Sequence, residues 1–151
     1  MKVIVILIFT ILLSSCQEKK TLDKPINKSD IITMSNISNY DSITKLVKTK
    51  GDTLAYDELY YFLMDSNKED RTDTLMYYSK IMAEKYNNDL GYFYYFTALC
   101  EKYDIPFKDA NYSSINISSL DKSSKKETED WLKKMLEKKI ITQQQYDSVK
   151  R

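Results

Sequence analysis

From residue 42 onward, apolar positions recur at intervals of three and four, the period of helices that bury one face. Ile43, Leu46 and Val47 share such a face, and Gly51 follows where a left-handed residue can end a helix. Asp52 or Thr53 then caps a second helix. In it Ala55, Leu59, Phe62 and Leu63 recur, with Tyr56 and Tyr60 beside them, and Asp65-Ser66-Asn67 closes it. A third helix opens between Asp70 and Thr72 and runs to Tyr86. Its stripe is Leu75, Tyr78, Met82 and Tyr86, widened by Ile81. Asn87-Asn88 breaks that helix, and Asp89 caps a fourth carrying Tyr92, Phe93, Phe96, Leu99 and Tyr103, which stops before Pro106. Residues 111–123 are rich in Ser and Asn and read as a loop. Ser124 with Glu127 reads as a capping box for a helix bearing Trp131, Leu132, Met135, Leu136 and Ile140. Thr142 with Gln145 reads as another, opening a short terminal helix with Tyr146 and Val149. The pattern predicts an all-α domain of five to six antiparallel helices.

The first residues follow another pattern. Lys2 precedes an apolar run from Val3 to Leu13, too short for the ~20 residues of a spanning helix. Small Ser14 and Ser15 follow, then Cys16. Leu13-Ser14-Ser15-Cys16 resembles the lipobox of bacterial lipoproteins, an aliphatic residue and two small ones ahead of a Cys. The resemblance implies that 1–15 is a signal peptide and that Cys16 is lipidated, carrying diacylglycerol and palmitate-like chains. Each buried CH₂ contributes roughly 0.8 kcal/mol, so two or three chains anchor a protein stably. The expected localisation is the bacterial cell envelope, at the outer membrane, on its periplasmic or its surface face. Residues 16–41 are polar and read as a flexible tether. Within them Gln17-Glu18-Lys19-Lys20 loosely resembles the export signal of surface lipoproteins in Bacteroides-type bacteria, though less acidic.

Setting Lys2 aside with the leader leaves 22 basic side chains against 22 acidic ones. That balance offers no general field for nucleic acid, so no nucleic-acid partner is expected. The chain has no His, the commonest general base and metal ligand, and no metal or other cofactor is expected. With Cys16 lipidated, Cys100 is the single thiol left, set in an apolar helical pattern that suits a buried structural role. Abundant Lys, Ile, Asn and Tyr suit the codon usage of a Bacteroides-type host.

A weak internal echo runs through the middle of the chain. Gly51-Asp52-Thr53-Leu54-Ala55-Tyr56 and Asn88-Asp89-Leu90-Gly91-Tyr92-Phe93 are offset by 37 residues, close to the period of helix-turn-helix solenoids. Gly51-Asp52-x-x-Ala55-x-x-x-Leu59-x-x-Phe62 resembles the start of a tetratricopeptide or Sel-like repeat. The fit is loose: Tyr60 stands where a small residue is usual, and Tyr92 replaces Ala in the second copy. The resemblance implies tetratricopeptide-like helical hairpins over 42–110; an ordinary helical bundle is the alternative. Residues 132–146 are similar to the short C-terminal (SHOCT-type) helical hairpin, with Lys139 in place of its usual Gly, and imply a C-terminal helical hairpin over 124–151.

The run Tyr92-Phe93-Tyr94-Tyr95-Phe96 cannot be buried on one helix face. Neighbours covering both sides of this helix is the preferred expectation. Otherwise Tyr94 and Tyr95, with Tyr61 and Tyr77, form an exposed binding surface, a role for which Tyr is well suited. Acidic residues such as Asp57-Glu58, Glu127, Glu129 and Asp130 read as helix first-turn charges rather than as paired catalytic carboxylates. No nucleophile with a base and no phosphate-binding loop appears, so catalytic residues are none and an enzyme is not expected. Four Asp-Ser/Thr-apolar triplets, at Ser42, Thr53, Thr74 and Ser148, resemble the O-glycosylation sequence of exported proteins in Bacteroides-type bacteria; helix N-caps account for them equally well. The expected function is a lipid-anchored protein-interaction module with a protein partner in the envelope. The alternatives are an immunity-type lipoprotein that neutralises a toxin, or a glycan-binding accessory lipoprotein.

Overall fold

A computed structural model describes residues 39–151 of the 151-residue chain. The expected leader, Cys16 and the expected tether up to Ser38 lie outside the described residues. The described region is all-α, with six α-helices: α1 (Tyr40–Lys50), α2 (Thr53–Met64), α3 (Arg71–Tyr86), α4 (Asp89–Lys102), α5 (Lys122–Glu137) and α6 (Gln143–Ser148). A single 3₁₀ turn, Tyr112–Ser114, interrupts the connection from α4 to α5. None of these helices is long and apolar enough to cross a membrane.

Consecutive helices pair as hairpins, and α3 packs on both α1 and α2. Two of the turns are built alike. Gly51 (φ 63) ends α1 in the left-handed region and Asn87 (φ 50) ends α3 in the same way. The next residue in each case caps the following helix, Asp52 accepting from the Ala55 amide and Asn88 from the Gly91 amide. These caps are 36 residues apart, one fewer than the sequence echo. In the structural register Ala55 corresponds to Gly91, Tyr56 to Tyr92, Leu59 to Tyr95 and Leu63 to Leu99, and every one is buried. The small residue missing from the second copy is therefore Gly91, displaced by one position from where the echo placed it.

Tyr40 and Asp41, placed in the tether by sequence, belong to α1, because the Asn39 side chain accepts from the Ser42 amide and starts the helix early. In α1 Thr44 is buried and Leu46 is exposed, the reverse of the expected stripe. Thr44 lies one turn before Lys48, whose ammonium faces the α3 rings Tyr77 and Tyr78, so the covered side of α1 is turned toward α3. The start of α5 also differs. Asp121, not Ser124, is the cap, accepting from the Ser123 and Ser124 amides and the Ser124 hydroxyl. A carboxylate is the stronger acceptor, and the Ser124 hydroxyl and these amides hold it below the usual carboxylate range. The capping box of Thr142 and Gln145 is present.

The Ser- and Asn-rich segment before α5 is more ordered than a surface loop. It buries Tyr112, Ile115 and Ile117 in the common core. The C-terminus clasps it: the Ile117 amide donates to Lys150 O (2.9 Å) and the Lys150 amide to Ile115 O (3.0 Å), a one-residue parallel bridge. At the other end of the last hairpin, α5 stops in a Schellman arrangement. The Ile140 amide donates to Met135 O (2.9 Å) and the Lys139 amide to Leu136 O (2.9 Å), with Lys139 at φ 60. This is the position where the SHOCT-type hairpin carries Gly. A side chain there costs roughly 1–2 kcal/mol relative to Gly, partly offset by the floppier unfolded chain. Lys139→Gly therefore raises the unfolding free energy by about 1 kcal/mol, read as a higher thermal midpoint by circular dichroism. The same change at Lys138, an ordinary right-handed residue, gives no gain.

Candidate functional site

The four tyrosines of the alternative reading, an exposed surface, separate into three environments. Tyr95 is buried at 6% exposure, its ring against Trp131 (centroids 3.8 Å) and its hydroxyl donating to Glu127 (3.1 Å). It belongs to the core beneath α5, because the indole of Trp131, pinned by Nε1 donating to Tyr92 O (3.0 Å), covers that side of α4. Tyr77 is exposed, with its ring against Tyr78 and the Lys48 ammonium. Tyr61 and Tyr94 remain, and they are joined by a residue outside the expected set. The Tyr60 ring stacks on Tyr94 (3.6 Å, 10° between planes) and meets Tyr61 edge-on (5.4 Å).

This Tyr61–Tyr60–Tyr94 cluster bridges α2 and α4. Burial, followed by the neighbouring Tyr60 and Tyr61 hydroxyls and the Asp57 carboxylate, pushes the Tyr94 phenol up to about 12. Leu54 lies seven residues before Tyr61 and so on the same face of α2, and it is 79% exposed. Leu90 lies four residues before Tyr94 on α4 and is 43% exposed. In the 36-residue register Leu54 and Leu90 are equivalent. The outward side of α2 and α4 is thus a strip of Leu54, Tyr61, Tyr60, Tyr94 and Leu90. Sequence periodicity misses the two leucines because they stand off the buried stripe. An apolar residue on the otherwise polar side of an amphipathic helix was the signal available.

Over the residues that carry the strip, α2 and α4 themselves bring charge of one sign only. No Lys or Arg occurs in residues 53–67 or 86–101. Asp57 and Glu58 of α2 and Asp89 of α4 lack a cationic partner among the described residues, whereas Glu84, Glu101, Glu129 and Asp130 are paired with Lys134, Arg71, Arg151 and Lys126. The expectation that Asp57, Glu58, Glu127, Glu129 and Asp130 sit in first helical turns is corrected, since α2 and α5 have no acidic residue there. Glu127 has a different task. Its carboxylate receives the hydroxyls of both Tyr95 and Tyr103, tying α5 to α4.

A concavity of about 380 Å³ lies between α3 and α5, lined by Lys80, Lys126, Glu127, Asp130 and Lys134 over Tyr95 and Trp131. Its charges are largely mutually satisfied: Lys126 pairs with Asp130, Lys134 with Glu84 (2.7 Å). Cys100 is buried, and desolvation pushes its thiol up to about 12, a state without nucleophilic character near neutral pH. Among the described residues no cluster of three metal-ligating side chains occurs. Of the four triplet hydroxyls, Ser42, Thr53 and Thr74 lie in the first turns of α1, α2 and α3. Ser148 ends α6 and donates to Gln145 O (2.7 Å). Comparison with protein-family models, with curated proteins and with solved structures finds no match to this chain.

Proposed function

We propose that this protein is a non-catalytic, lipid-anchored interaction module that holds another protein at the bacterial envelope through its α2/α4 face. The observation that carries this reading is the half-buried Tyr60–Tyr94 stack joining two helices, with exposed Leu54, Tyr61 and Leu90 on their outward faces, a grouping which a solvated surface has no need to keep together. Tyrosine gives such a surface rigid contact area with a hydroxyl at its tip, a combination enriched at binding hot spots. The like-built hairpins support a tetratricopeptide-like architecture, in which short repeats stack to present extended faces. The lipobox-like Leu13-Ser14-Ser15-Cys16 supplies the anchor, and the polar residues after it supply reach.

The two halves of the reading are tested in one strain. Wild-type chain takes up labelled palmitate and sediments with membranes, and Cys16→Ala does neither; unlabelled wild type in a lipoprotein-processing host sinks the anchor. A photo-crosslinking residue at Tyr61 gives a discrete protein adduct in cells, and one at Tyr77 does not. Equal adducts from both positions, or none, sink the docking face.

A further inference from the structure

We propose that the partner presents a basic amphipathic segment to the α2/α4 strip, with aliphatic side chains against Leu54, Tyr61 and Leu90 and Lys or Arg against Asp57, Glu58 and Asp89. This rests on the docking reading above and specifies its occupant. The apolar elements are spaced for a helix: Leu54 and Tyr61 are two turns apart, roughly 10 Å, the separation of anchors on an amphipathic partner helix. The cations are called for by the rim. Three carboxylates flank the strip without a cationic partner among the described residues, and no Lys or Arg from α2 or the body of α4 competes for them. Tyrosine faces add to this, since a phenol ring attracts a cation laid over it, and the molecule already uses that contact where Lys48 sits 5.4 Å from the Tyr77 ring centroid. The same rim repels an anionic lipid surface or a nucleic-acid backbone, both of which require lysines here.

The test uses the full chain and two synthetic helices about 18 residues long, roughly 27 Å, one of Leu and Lys and the other of Leu and Glu. Each is titrated while backbone amide shifts are followed. The Leu/Lys helix shifts amides around Leu54, Tyr61, Leu90 and Tyr94, and the Asp57→Lys, Glu58→Lys double variant weakens it by about tenfold or more. Leu54→Ser, at an exposed site, weakens it without altering the helical spectrum. The proposal is overturned if the Leu/Glu helix binds as well, if a neutral hexasaccharide shifts the same amides, or if the Leu/Lys shifts centre on Lys80 and Lys134 instead. Absence of any saturable shift also overturns it. Failure here is distinct from failure of the docking face: a Tyr61 adduct mapping to an acidic or uncharged partner segment keeps the face and removes the basic partner.

Discussion

Gly91→Val destabilises this protein by about 3 kcal/mol and lowers the urea midpoint accordingly. A Cβ at Gly91 would stand 2.6 Å from Ala83 N and 2.9 Å from the Met82 carbonyl carbon. These are backbone atoms of a buried stretch of α3, so no rotamer change relieves the clash and the two helices must part. Intrinsic helix propensity runs the other way, by about 1 kcal/mol in favour of replacing an interior Gly. The sign of the measured change therefore reports which effect wins. Gly91→Ala carries the smallest Cβ and shows a smaller loss, about 1–2 kcal/mol. Stabilisation by Gly91→Ala in urea titration would show that α3 and α4 do not cross this closely.

Alkali unfolds the protein over a narrow window. Burial pushes the phenols of Tyr40, Tyr94 and Tyr112 and the thiol of Cys100 up to about 12. Tyr56 and Tyr95 are raised as well, both chiefly by burial, and Tyr95 further by the Glu127 carboxylate. In the unfolded chain these phenols release their protons near 10, while the folded state retains them. Their contribution is thus intact below the unfolded value and is lost as pH rises through 10 toward 12. Each group steepens the decline by up to about 1.4 kcal/mol per pH unit, and by less at Tyr40 and Tyr94, where water screens. Tyrosinate absorbance from these residues then appears together with loss of helical signal. Helix retained at the upper end of that window with most tyrosines ionised would show that the aromatic core is more open than described.

The periodic parts of this fold were readable because burial and periodicity are the same fact. Val47, Leu59, Met82, Phe96, Leu132 and Met135 fall on expected stripes and are fully enclosed. Gly51 and Asn87 marked helix ends for a local reason, the left-handed backbone each adopts. Lys139 hid the same backbone state because a lysine does not advertise it. Tyr112, Ile115 and Ile117 were unreadable because their burial depends on a strand-like partner more than 30 residues away, which no local pattern encodes. The aromatic run from Tyr92 to Phe96 left two outcomes open, and the preferred one, neighbours on both sides of the helix, holds for Tyr95, which is buried, while Tyr94 is half-buried. An unbroken aromatic run gives no phase, and only the position of Trp131 decides which rings are covered. The role of Glu127 depended on Tyr95 and Tyr103 arriving from another helix, which is also invisible along the chain.

The clasp between Ile115 and Lys150 imposes an order on biosynthesis. Chains emerge from their N-terminal side and hairpins close from neighbouring residues, so α1 to α4 can pair while later residues are still being made. Residues 112–117 cannot be held in place until Lys150 has followed them out. For that interval Tyr112, Ile115 and Ile117 have helices to lie against but nothing to lock them down. A nascent chain of this protein is therefore open to chaperones and proteases at one definable place until Lys150 emerges and closes it.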